Sequence, residues 1–294
     1  MFRQKTGSVV CASCGSLVGV NDDKCYSCGR RNPGLWGFGP VLRRFGNDFG
    51  FTTVIVYGSV GLYALSLVLT VLSRENIFGG SLFSILGPGP TAWAALGASG
   101  AVPVFYDGRW WTLLSAGWLH AGALHILFNI MWVRQLGPVV EDMYGGARMI
   151  IIYTVSSACG FLLSSALPLS PIHIPFLGGA AWTVGASAPI FGLLGALVHY
   201  GRRGGSSLVG SQAMNYAVTI FVFGLIMPGV DNSAHLGGFI GGFLASKWLD
   251  PLKPERMDHF IGAALCLVAT ALAILASLVL ALPMLKVLIL GVNA

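Results

Sequence analysis

Long apolar stretches separated by short polar turns run through most of the chain. Windows of about 20 apolar residues, the length that crosses a bilayer, cover residues 51–72, 121–142, 148–168, 182–200, 211–227, 233–249 and 260–282. This pattern predicts seven membrane-spanning helices. The second window is the least regular, because Arg134 lies inside it and its start is blurred by the aromatic stretch "GRWWTLLSAGWLH". Residues 73–120, rich in glycine, proline and aromatics, are expected to form a long loop on the side opposite the N-terminus.

Composition places the chain outside the ordinary soluble class: 55% of its 294 residues are hydrophobic and only 10% are charged. No cleavable signal peptide is expected, since Lys5 is followed by a cysteine-rich stretch rather than an apolar core. The net charge of +6 suits a nucleic-acid surface only if it is clustered for that purpose. Its distribution follows topology instead. With the N-terminal head inside, thirteen of the 17 Lys and Arg residues fall in inside segments and three, Arg74, Arg109 and Lys286, fall outside, Arg134 being the remaining one. The positive-inside rule then puts the N-terminus in the cytosol, and a nucleic-acid partner becomes unnecessary. The segment "RRNPGLWGFGPVLRRFG", with Trp36, Phe38 and Phe45 among its arginines, suits the anionic inner membrane surface.

Four of the six cysteines form two knuckles, Cys11-x-x-Cys14 and Cys25-x-x-Cys28, each followed by a glycine. Such spacing can set four thiolates around one tetrahedral metal, usually zinc. Iron in a rubredoxin-like site and a pair of disulfides are the alternatives, and a reducing cytosol opposes the disulfides. The segment is too short to bury a core, so the metal would hold it together. Cys159 and Cys266, in apolar runs, are expected to be small core residues.

Polar residues inside spans are the candidates for chemistry. Ser187, in "WTVGASAPIFGLLGA", and His235 both fall near the outer start of their spans, at similar depth. A serine nucleophile needs a base within about 3 Å, so the two helices must pack closely. Small residues at Gly185, Ala188, Gly192, Gly195, Ala196, Gly237, Gly238, Gly241 and Gly242 permit that, although such stripes also serve packing alone. In "LHILFNIM", His125 and Asn129 are four residues apart and share a helix face. They would either supply donors to a developing oxyanion or tie their span to a neighbour. Asp231 is expected to cap a helix or sit in a solvated loop. His120, His173, His199 and His259 have no evident partner and are expected to be structural or interfacial. The Gly-x-Ser-Gly at residues 97–100 has no apolar span behind it, which argues against Ser99 as a nucleophile.

Over roughly residues 50–260, "HAGALHILFN", "GAS" and "AHLGGFIGG", in this order, resemble the rhomboid family of intramembrane serine proteases. The resemblance implies an all-α membrane protein: a rhomboid-like bundle of six core transmembrane helices plus one C-terminal helix, preceded here by a small zinc ribbon. It implies a catalytic dyad of Ser187 and His235 without an acid, an oxyanion hole from Asn129, His125 and the Ser187 N–H, and no cofactor for catalysis. Two positions depart from the family's pattern: Ala188 follows the serine where glycine is usual, and Arg109 precedes Trp110-Trp111 where Trp-Arg is common. The expected organisation is a metal-binding ribbon at 1–32, a linker at 33–50, a protease core at 51–258, and a seventh helix with a tail at 259–294. The implied function is cleavage of transmembrane segments of other proteins, in a bacterial inner membrane. A catalytically silent relative that binds or escorts membrane clients is the alternative, and few mid-depth carboxylates speak against a channel or transporter. A cytosolic protein is a further candidate partner, for the ribbon.

Overall fold

A computed structural model of the protein describes residues 3–11, 13–38, 50–78, 85–171 and 174–290. Arg43, Arg44 and Phe45 of the linker, and His173, lie outside the described residues. The N-terminal head is a two-stranded antiparallel ribbon, β1 (Ser8–Val10) against β2 (Leu17–Gly19), with Val9 opposite Val18. Its small core is Val9, Val18 and Val20 with Cys11 and Cys25.

Among the described residues, eight helices of seven residues or more follow: α1 (Phe51–Leu72), α2 (Pro90–Leu96), α3 (Ala123–Tyr144), α4 (Gly146–Ala166), α5 (Ser187–Arg202), α6 (Ser207–Ile226), α7 (Asn232–Trp248) and α8 (Met257–Leu290). Single helical turns at Thr112–Ser115 and Ala116–Trp118 fold the loop between α2 and α3. Among the described residues, five helices are long and apolar enough to cross a membrane: α1, α3, α4 with its extension to Leu169, α6 and α8.

The fourth predicted span is present as α5 but is shorter, at 16 residues, and the sixth is present as α7 with 17 residues, shifted by one position. The position of α5 in the fold explains its late start. Residues 182–186 are not helical, because Thr183 exchanges two backbone hydrogen bonds with Ser99 (3.1 and 2.7 Å) and Gly185 has φ +140°. A helix end buried in protein need not reach the bilayer surface, since neighbouring backbone satisfies its polar groups. In contrast, α8 outruns its predicted window, continuing for 34 residues through Pro283.

α7 packs on both α4 and α5, and the contact is backbone against backbone. A methyl group added at Gly238 would stand 2.1 Å from the Ala188 carbonyl oxygen, and one at Gly242 would stand 2.1 Å from that of Gly192. The glycine stripes thus form a seam with no space for a side chain. Apolar side chains of α1, α6 and α8, such as Val68, Val222 and Leu272, face outward, as lipid contact requires. On the side of the N-terminal head, the buried Arg148 guanidinium donates to the backbone carbonyls of Asp250 (2.6 Å) and Lys253 (3.0 Å), tying the start of α4 to the segment after α7.

Candidate active site

Ser187 is the first residue of α5 and is partly exposed. At a helix start the backbone N–H groups have no partner within the helix and the dipole is positive, so the residue opens onto a site that favours negative charge. Gly185 precedes it by two, and its hydrogen bond to the Ala116 carbonyl (3.0 Å) fixes the turn. A side chain at 185 would stand 2.7 Å from His125 Nε2 and 3.6 Å from Ser187 Oγ. Only glycine fits there, and His125 and Ser187 converge on the space it leaves open.

His125 lies in the first turn of α3. Its Nδ1 accepts the Ala121 N–H at 3.2 Å, which in the neutral ring puts the proton on Nε2. The donor therefore faces Gly185 and Ser187. Asn129, one turn on, is 5% exposed and its Nδ2 has no hydrogen-bond partner. A buried amide with idle donors is costly unless another state uses them. His120 packs edge-to-face on His125, with ring centroids 5.4 Å apart, and is buried with neither ring nitrogen in a hydrogen bond of standard geometry. Sequence reasoning set it aside as unpartnered; the five-residue step from His120 to His125 across a tight turn was the only signal of their contact.

His235 stands one turn into α7, 3% exposed. Its ring stacks on Phe191 at 4.2 Å between centroids and 13° between planes. Phe191 is one turn below Ser187 on the same face of α5, so the stack sets the imidazole against the face of α5 that Ser187 begins. The ring's Nδ1 is 3.2 Å from Asn232 Oδ1. When Nδ1 carries the proton, Nε2 is left as an acceptor. Neither Asn232 nor Phe191 was identified from the sequence. No hydrogen bond joins Ser187 Oγ to His235 among the described residues; apo sites often close such bonds only when substrate arrives.

Ala188, in the place where glycine is usual, is fully buried. Its methyl group is accommodated because the facing residue of α4 is Gly160, where an added methyl would come within 2.8 Å of Ala188 Cβ. The loop before α3 is anchored by Arg109, whose Nη2 donates to the Ala94 carbonyl at 2.7 Å, and by Trp111, whose Nε1 donates to Ser277 Oγ at 3.0 Å. Ser99 is fully buried in the segment between α2 and α3, its Oγ accepting from Thr112 Oγ1 at 3.4 Å and its backbone paired with Thr183. Asp231 caps α7, with Oδ1 accepting the Ala234 N–H at 3.0 Å.

In the head, all four ligand sulfurs of Cys11, Cys14, Cys25 and Cys28 lie within 4.8 Å of one another. Cys11 and Cys28 Sγ are 3.8 Å apart, and Cys14 and Cys25 Sγ 3.6 Å. Zinc–sulfur bonds of about 2.3 Å in a tetrahedron give sulfur separations of roughly 3.8 Å, so the cluster fits a metal. Within the cluster the thiols differ: hydrogen bonding with the Ser16 side chain and backbone lowers Cys14 to about 6, whereas Cys28, against a backbone hydrogen bond at Arg30 that lowers it, is raised to about 11 by desolvation and the neighbouring cysteines.

A rhomboid domain matches residues 107–252. The chain is 33% identical over 172 residues to "Rhomboid protease GluP" of Bacillus subtilis (strain 168), covering 58% of this chain and 32% of that protein. It is 36% identical over 169 residues to "RHOMBOID-like protein 7" of Arabidopsis thaliana, covering 54% of this chain and 49% of the relative. It is also 34% identical over 155 residues to "Putative rhomboid protease YdcA" of Bacillus subtilis (strain 168), covering 51% of this chain and 72% of that protein. The chain spans from about a third to a half of the first two relatives. The helical bundle, the glycine seam and this similarity over most of one relative's length lead to one assignment: the chain belongs to the rhomboid family.

Proposed function

We propose that the protein is an intramembrane serine endopeptidase that cleaves transmembrane segments of other proteins. The observation that carries this reading is the convergence at the head of α5: Ser187 Oγ and the His125 Nε2 donor flank the space beside Gly185, and His235 is held on Phe191, one turn below the serine.

In this reading a scissile carbonyl enters beside Gly185. His235 Nε2 takes the proton of Ser187 as Oγ attacks the carbonyl carbon. The oxyanion that forms is held by the Ser187 N–H, His125 Nε2–H and the idle Asn129 amide. The protonated His235 then gives its proton to the leaving amine, and water attacks the acyl-enzyme with His235 again as base. The partly exposed serine at a helix end gives water a route in. Substrates that unwind readily are favoured, because a peptide bond in an intact helix is shielded by its own hydrogen bonds.

The ribbon sits on the cytosolic side in this reading, its metal is zinc, and the metal cross-links the fold and takes no part in hydrolysis. The location is a bacterial cytoplasmic membrane. Trp36 and Phe38, both exposed, suit contact with that membrane's inner surface or with a cytosolic protein. The absent Ser187–His235 hydrogen bond is the one observation favouring a silent, client-binding relative.

Reaction of the purified protein with a fluorophosphonate probe separates the two. Wild type and Ser99→Ala are expected to label, and Ser187→Ala and His235→Ala to lose labelling. Folded wild type that neither labels nor cleaves a transmembrane substrate would establish the silent reading.

A further inference from the structure

No direct bond fixes the distance between Ser187 and His235 at rest, so the scaffold must set it. The segment that delivers Ser187, residues 179–186, has no helix of its own and is stitched to its surroundings by a few hydrogen bonds. Thr183 pairs by its backbone with Ser99 on one edge. On the other edge its hydroxyl donates to Asp231 Oδ2 at 2.8 Å. The same oxygen accepts the Ser164 hydroxyl of α4 at 2.5 Å. The other carboxylate oxygen caps α7 at Ala234, and the Asp231 carbonyl accepts the His235 N–H at 3.1 Å. A second tie runs beside it, from the Gly179 N–H to Ser233 Oγ at 3.0 Å.

One carboxylate therefore binds the strand that ends in Ser187, the helix that carries His235, and α4 between them. Thr183 and Asp231 each stand four residues before the member of the pair they hold. Both Ser164 and Thr183 are buried, so water does not readily replace them as partners, and charge-assisted bonds of this kind are about twice as strong as neutral ones.

We infer that Asp231 is a positioning residue that sets the Ser187–His235 separation by clasping Thr183 to the head of α7; the inference rests on the Ser187–His235 reading above. Asp231 makes no hydrogen bond to the His235 ring, whose Nδ1 is taken by Asn232, so the clasp works through geometry and not as a third member of a proton relay.

The bland alternative is that Asp231 only caps α7, and two substitutions tell them apart. Thr183→Val is nearly isosteric and leaves the cap in place. Asp231→Ser keeps a good capping oxygen but is too short to hold Thr183 and Ser164. With the full-length protein, kcat and KM on a transmembrane substrate, the rate of fluorophosphonate reaction and the melting temperature would be measured for each. Both variants are expected to lose at least tenfold in kcat and in probe reaction, with KM within twofold of wild type and a melting temperature lowered by the lost buried hydrogen bonds but still well above that of the assay. Combining the two should cost no more than either alone. Wild-type kcat and probe rate in Thr183→Val would overturn the clasp and leave Asp231 a cap. Full activity in Ser187→Ala would instead overturn the assignment of the nucleophile, and the clasp with it.

Discussion

At the scale of single residues, the arrangement separates groups that are satisfied at rest from groups that are not. His125 Nδ1 and His235 Nδ1 each have a partner, which fixes the tautomers, whereas Asn129 Nδ2 has none. That asymmetry predicts how Asn129→Ala behaves. Removing donors idle in the resting protein should leave the melting temperature unchanged or slightly higher, since a buried unsatisfied group is a net cost. Removing one oxyanion donor costs about 10²–10³ in kcat, so a large kcat loss with no loss of stability is expected from turnover and melting experiments on the same preparation. An equal fall in both would make Asn129 a packing residue. Ser187, His235, His125 and Asn129 could be singled out in the sequence because polar residues are rare in apolar windows and two of them share a four-residue step. Asn232, Phe191 and Gly160 could not. A polar residue at a helix start is usually a cap, and nothing local tells which of Asp231 and Asn232 turns toward the ring and which toward Thr183. The partners that decide it, Ser164 and Thr183, are 67 and 48 residues away from Asp231.

Among the helices, the α5–α7 seam does what no single side chain can, by letting two backbones touch. Gly238 is the position where this matters most, one turn below His235 and 2.1 Å, by its missing methyl, from the Ala188 carbonyl. Gly238→Ala must push the helices apart by about 1 Å to restore ordinary contact. Displacements of that size at a reacting pair cost roughly 10²-fold in rate, and overpacking costs about 1–3 kcal/mol in stability. Gly61→Ala in α1, where nothing lies within 4 Å, should change neither activity nor melting and serves as the control. Equal behaviour of the two variants would show that the seam is not tight. The apolar windows foretold where these helices lie but not where they begin. Hydropathy registers burial, and residues 183–186 are buried here, with Thr183 paired to Ser99, as they would be in a helix. The positive φ at Gly185 ends the extended segment, and a window average does not see it.

The whole molecule joins two bodies of different stability, and their joint is thin. In the proposed reading the head depends on metal held by its thiol cluster, because among the described residues five buried residues make up its core. It touches the start of α8 through Arg30 with Asp258 and through Arg256 with Ser13. These side chains are partly exposed, and ion pairs of that kind contribute about 0–1 kcal/mol each. A structural zinc contributes on the order of 10–16 kcal/mol. Losing the metal should therefore unfold the head while leaving the bundle folded. Among the described residues, the route by which the loss could reach the site is α8, whose far half packs Ala281 and Leu285 in a cluster with Leu96 and Val184 and places Ser277 against Trp111. That half is anchored by apolar burial and does not rely on the head. A strong chelator, or Cys11→Ser, is thus expected to open residues 3–38 to added protease while fluorophosphonate labelling at Ser187 stays within about twofold, a loss small beside the tenfold that one pKa-unit-sized energy, about 1.4 kcal/mol, would cause. A parallel fall of labelling with head proteolysis would mean that α8 carries the state of the ribbon across the membrane to the strand that holds Ser187.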